Sequence, residues 1–133
     1  MRFPTLLVAS LVLAAAGAST AQAGTGIIVI HCKNAQDADL LLDSSHGTPK
    51  VDVLNGAGTF LATLSPGGTY PLPASGTVKL RFSTGPLGGG TVPFTILTKS
   101  GKAHLTGSSR KPRVDHLVGA KVSVASDGSV IVQ

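Results

Sequence analysis

Five side chains in residues 24–133 are of the kind that bind soft or borderline metal ions: His31, Cys32, His46, His104 and His116. A copper centre built on His, Cys and Met needs an axial thioether and a histidine close after the cysteine. This stretch has no methionine, and the first histidine after Cys32 lies fourteen residues on. Zinc sites favour ligand pairs separated by roughly two to five residues, and no such pair occurs. The histidines are therefore expected as separate surface or turn residues, with His104 on a polar strand face beside Lys102 and Thr106, and neither a metal nor another cofactor is implied.

Catalytic patterns are equally sparse. On a strand, neighbouring side chains point to opposite faces, so His31 and Cys32 are not expected to form a nucleophile and base pair. No Gly-x-Ser-x-Gly elbow is present. The chain contains no glutamate, so paired-carboxylate chemistry would rest on aspartates alone. Asp37, Asp39 and Asp43 surround Leu40–Leu42 and read as an acidic turn flanking a strand, without the glycine and twelfth-position carboxylate of a helical calcium loop. Gly88-Gly89-Gly90 is followed by Thr91-Val92-Pro93 rather than by the Lys-Ser/Thr of a phosphate loop. A non-catalytic protein is expected.

Charge is the more specific feature. Residues 24–75 carry Lys33 and Lys50 against Asp37, Asp39, Asp43 and Asp52, a net of −2, whereas residues 76–133 carry eight cations against Asp115 and Asp127, a net of +6. Lys99, Lys102, Arg110, Lys111 and Arg113 fall in one Gly/Ser-rich stretch free of acids. That stretch reads as a mobile hairpin or loop able to bind anions, with lipopolysaccharide phosphate or an acidic or sulfated polysaccharide as partner. Nucleic acid is the weakest of the anionic partners, because no aromatic residue is interleaved for base stacking.

The segments that must position these groups follow an N-terminal export signal. Arg2 precedes an apolar run, Leu6–Ala16, and Ala21-Gln22-Ala23 offers the small-x-small motif at which such signals are cut, so residues 1–23 are expected to be removed. The run is shorter than the ~20 residues that cross a bilayer. No transmembrane segment is expected, and the destination is a periplasm or the cell exterior. In that oxidising space the lone Cys32 is either buried or bonded to a cysteine of another molecule; its place at the end of Ile27–Ile30 favours the core.

Residues 24–133 read as one domain of short strands punctuated by Gly and Pro. Candidate strands are 26–32, 39–43, 50–54, 59–64, 76–82, 91–98, 102–106, 121–125 and 129–133. Val78, Leu80 and Phe82 alternate with Lys79 and Arg81, as Val51 and Val53 flank Asp52 and Val122 and Val124 flank Ser123. Pro93 points to an edge or a bulge for its strand, Asn55-Gly56 and Asp127-Gly128 to two-residue hairpins, and 34–39 to a helical turn or two. Leu64-Ser65-Pro66-Gly67-Gly68-Thr69-Tyr70 resembles the Leu-x-Pro-Gly-x-Tyr corner of Ig-like and transthyretin-like bacterial surface modules. The resemblance implies a β-sandwich used in binding or assembly and carries no catalytic residues.

The expected architecture is all-β: a small antiparallel β-sandwich, Ig-like or transthyretin-like, of about seven to nine short strands. The expected function is an exported binding or adhesion module that engages an anionic surface or a partner protein through its basic loop. The alternative is a structural subunit of an extracellular filament or surface layer, in which the apolar segment Thr25–Ile30 adds to a neighbour's sheet.

Overall fold

Alternation of large apolar and polar residues repeats from strand to strand in this chain, and two sheets facing each other satisfy it. The computed structural model describes residues 25–45, 48–83, 91–108 and 111–133. Among them the strands are β1 (Thr25–Lys33), β2 (Asp39–Leu42), β3 (Val51–Asn55), β4 (Phe60–Leu64), β5 (Thr69–Pro71), β6 (Ser75–Ser83), β7 (Val92–Leu97), β8 (Lys102–Gly107), β9 (Arg113–Val118), β10 (Val122–Val124) and β11 (Val130–Val132). One sheet runs β10-β11-β1-β6-β3-β4 and the other β5-β2-β7-β8-β9. The pairings are antiparallel except for β1 with β11. The protein is a β-sandwich. Among the described residues no helix is long and apolar enough to cross a membrane.

The inner faces interdigitate as the alternation requires. Ile28, Ile30, Val53, Leu80 and Val130 from the first sheet meet Leu40, Leu42, Phe94, Ile96 and Leu105 from the second in one buried cluster. Val78, Leu80 and Phe82 all point inward, and Lys79 and Arg81 point outward. The continuous run Ile27–Ile30 also alternates: Ile28, Ile30 and Cys32 enter the core, while Ile27, Val29 and His31 line the outer face. β1 is paired along its whole length with β6 and along its second half with β11. The segment Thr25–Ile30 thus pairs within its own sheet, with β6 along one flank and with β11 only from Ile30 onward on the other.

Several local expectations are corrected. Two strands join the nine expected from sequence: β5, only three residues long, and β9, whose period is broken by a bulge opposite His104 and Leu105. β9 also lies at a sheet edge with little of either face covered, so no dry face writes itself into its sequence. β7 is an inner strand despite Pro93. The Pro93 carbonyl accepts the Asp43 amide at 3.1 Å, just past the end of β2. A residue's N–H and C=O point to the same side of a strand, so the missing N–H of Pro93 falls where the ladder has already ended.

Residues 34–39 form no helix. Asn34 and Asp37 take left-handed φ values of 59° and 53°, and Ala35 and Ala38 are buried in the core cluster. The two Asx-Gly turns are longer than expected. Asn55 N–H bonds Thr59 O at 2.9 Å and Gly58 N–H bonds Asn55 O at 2.9 Å, with the positive φ of 89° at Gly58 rather than Gly56. Ala125, Gly128 and Ser129 repeat this pattern, with φ 90° at Gly128. Each is a three-residue loop whose last glycine takes the left-handed position. The Pro66-Gly67 corner is as expected, with Gly68 N–H on Ser65 O at 2.8 Å and φ 89° at Gly67, as a type II turn demands. The signal 1–23, the glycines 88–90, His46 and Arg110 lie outside the described residues.

The Phe82 ring lies over Gly26, its cross-strand partner, so closely that a Cβ on Gly26 would stand 2.6 Å from the ring. Gly26 has no side chain to move into the space the ring would leave, and Phe82→Ala is expected to cost about 3–5 kcal/mol of unfolding free energy. Urea or guanidinium titration measures it; a loss under about 1 kcal/mol is incompatible with this packing.

Candidate functional site

Function has to come from the outer faces and the loops, because the inner faces are filled. On the outside of the six-stranded sheet the registers align two cross-strand rows: Val29, Lys79, Leu54 and Phe60, and beside it Ile27, Arg81, Asp52 and Thr63. Asp52 takes an Arg81 guanidinium N–H at 3.0 Å and the Thr63 hydroxyl at 3.1 Å, so that cation is already engaged. Leu54 is only 4% exposed although it lies on this outer face, between Lys79 and Phe60. Ile27, by contrast, is 54% exposed.

Ile27, Val29 and His31 form the floor of an open groove of about 370 Å³, walled by the 126–129 turn and rimmed by Lys111 and Pro112. Lys111 packs along the turn, where a Cβ on Gly128 would meet its Cγ at 3.7 Å. Asp127 accepts the Ser129 hydroxyl at 2.6 Å and the Ser129 amide at 3.0 Å. These two bonds, with His31 nearby, hold its carboxyl below the ordinary 3.8. His31 Nδ1 shares a hydrogen bond with Thr77 Oγ1 at 2.9 Å. The groove thus offers a floor of two aliphatic side chains and an imidazole, one cation at its rim and a carboxylate committed to its own turn.

Of the five cations expected to bind anions, the four among the described residues are not gathered in one place. Lys99, in the Thr98–Gly101 turn, pairs with Asp37 at 3.0 Å, and Arg113 Nε donates to Asp115 Oδ1 at 2.6 Å. The Asp115 carboxyl is lowered chiefly by the Thr106 hydroxyl and then by Arg113. Lys102 opens β8, and Arg113 faces Thr106 four residues along it, about 14 Å away. Lys111 is at the groove. As far as Gly107 the stretch is therefore a tight turn and strand β8 rather than a loop, because Ala103, Leu105 and Gly107 alternate inward. The groove itself was missed from sequence. It had a signal in Val29 and Ile27, apolar residues on the outward parity of a strand otherwise facing the core.

The outside of the five-stranded sheet holds a second polar group. His104 and His116 are direct cross-strand partners with ring centres 6.1 Å apart. Thr95, opposite His104 on β7, is 2% exposed and joins His104 Nδ1 at 2.7 Å and Asp43 Oδ1 at 3.2 Å. Separate surface histidines were expected here, and pairing across β8 and β9 brings two together. Among the described residues no three His, Cys or Asp side chains converge as metal ligands. His31 and Cys32 take opposite faces, as strand parity demands. No family model, curated protein or solved structure matches this chain.

Cys32 is 3% exposed at the core end of β1, and burial pushes its thiol up from the usual value of 9.0. Both effects suppress the reactive thiolate. In the folded protein at pH 8 a disulfide reagent such as 5,5′-dithiobis(2-nitrobenzoate) is expected to leave Cys32 unmodified, with stoichiometric release of chromophore once denaturant is added. Prompt reaction in native buffer is the contrary result, and would restore Cys32 as a bridge to another molecule.

Proposed function

We propose that this protein is an exported, non-catalytic binding module for phosphorylated or sulfated glycan, held at the groove and outer face of the six-stranded sheet. The observation that carries the reading is Lys111 at the rim of a groove floored by Ile27 and Val29. Among the described residues neither Lys111 nor Lys79 is in an ion pair, whereas Arg81, Lys99 and Arg113 each have an aspartate. Anion binding costs less where no intramolecular partner must be released. The exposed aliphatic floor suits the apolar portion of an amphiphilic ligand, as in lipopolysaccharide, and the remaining positive charge steers polyanions toward the protein.

Titration of the purified protein with heparin and with lipopolysaccharide at two salt concentrations tests this. Lys79→Ser/Lys111→Ser is expected to remove most of the binding and flatten the salt dependence by roughly one unit per lost cation for a dense polyanion. Lys99→Ser/Lys102→Ser is expected to have the smaller effect. Equal affinity of wild type and the Lys79/Lys111 variant would retire the reading, and retention only of heparin or only of lipopolysaccharide binding separates the two sources.

One observation favours a second reading, a structural subunit of a filament or surface layer. Edge strand β4 exposes Phe60 and Leu61 and carries neither charge nor proline, two of the guards of an open edge, although a bulge at Leu61 interrupts its pairing with β3. Self-association through β4 would appear in sedimentation velocity and disappear in Leu61→Lys; a monomer at all concentrations would dismiss it.

A further inference from the structure

We propose that His104 and His116 form a two-imidazole site for a divalent transition-metal ion of the copper and zinc class, on the outer face of the five-stranded sheet. Proton accounting comes first. Thr95 Oγ1 carries one hydrogen and lies within bonding distance of Asp43 Oδ1 and His104 Nδ1. An ionised carboxylate only accepts, so the hydroxyl donates to Asp43 and accepts from His104 Nδ1–H. Neutral His104 therefore bears its proton on Nδ1 and its lone pair on Nε2. A ligating histidine has this arrangement: the ring nitrogen away from the metal donates to a polar group that fixes tautomer and orientation. Because Thr95 is buried, both its bonds must be kept, and the ring of His104 is held.

His116 supplies the second imidazole from the facing position on β9. With metal–nitrogen bonds of about 2.0–2.1 Å, two rings sharing a tetrahedral ion have centres roughly 5 Å apart. The observed separation of 6.1 Å, with the rings inclined by 37°, is within reach of a small rotation of the exposed His116 side chain. The β9 bulge next to this pair twists the edge locally, as bulges beside functional sites do. Asp115, the extra residue of that bulge, is bound to Thr106 and Arg113 and so is not a ligand. Water completes the coordination. Imidazole donors suit copper and zinc, and copper(II) binds such donors more tightly than zinc.

Calorimetric titration of the purified protein with zinc sulfate and with copper sulfate, each alone at neutral pH, tests the site. One ion per chain is expected, copper the tighter. His104→Ala and His116→Ala should each weaken binding by about tenfold or more, and Thr95→Val, which frees the His104 ring, by a similar factor. His31→Ala, on the other sheet, should leave binding unchanged. Absence of binding to wild type, or binding indifferent to His104 and His116, overturns the proposal. Copper broadening of histidine ring proton resonances in the unmutated protein keeps the test independent of variant folding. Selective loss of the His104 and His116 signals supports the site, and loss at His31 instead refutes it.

Discussion

The register of β1 against β6 is the constraint on which the rest of the molecule depends. Nine consecutive residue pairs, from Thr25 opposite Ser83 to Lys33 opposite Ser75, join the two longest strands. They decide which parity of β1 is dry. A slip of one residue would turn Ile28, Ile30 and Cys32 to the outside and carry Ile27, Val29 and His31 into the core. It would also move Gly26 from beneath the Phe82 ring and put a larger neighbour in its place. The groove, the buried thiol and the fit between the sheets are three results of one alignment. With one cysteine in the chain, no intrachain disulfide holds that alignment; hydrogen bonds and packing do.

Where one face of a strand is dry and the other wet, the sequence displayed it. Val78, Leu80 and Phe82, and Val51 and Val53, could be read directly, because burial acts on every second residue. Features decided by other terms were not legible. Gly56 and Gly58 are both available to the β3–β4 loop, and which of them takes the left-handed position depends on how the flanking strands pair. The site of the Pro93 N–H relative to β2 depends on where β2 stops. β9 buries little of either face, so periodicity has nothing to record there.

Charge misled for a related reason. Counted along the chain, the halves differ by eight units and the basic stretch 99–113 stands out. In three dimensions the sheets interleave the halves. Lys99 meets Asp37, Arg81 meets Asp52, and Arg113 meets an aspartate two residues away. These pairs are exposed and contribute little stability, but they remove cations from the pool open to an external anion. The histidines were underread in the opposite direction, since the twelve-residue separation of His104 and His116 says nothing until the β8–β9 pairing sets them side by side.

The parallel contact between β1 and β11 bears on how the chain reaches this state. β1 precedes every other strand among the described residues, yet the strand that covers its second flank is residues 130–132. Its other flank waits for residues 75–83. Long-range contacts predominate, and such topologies fold slowly compared with helical bundles. Until β11 pairs with them, Ile30, His31 and Cys32 border an open edge of unsatisfied amides, an invitation to aggregate. A chain of this design leaves that flank of β1 unsealed until a strand about one hundred residues further along has been made and can fold back beside it.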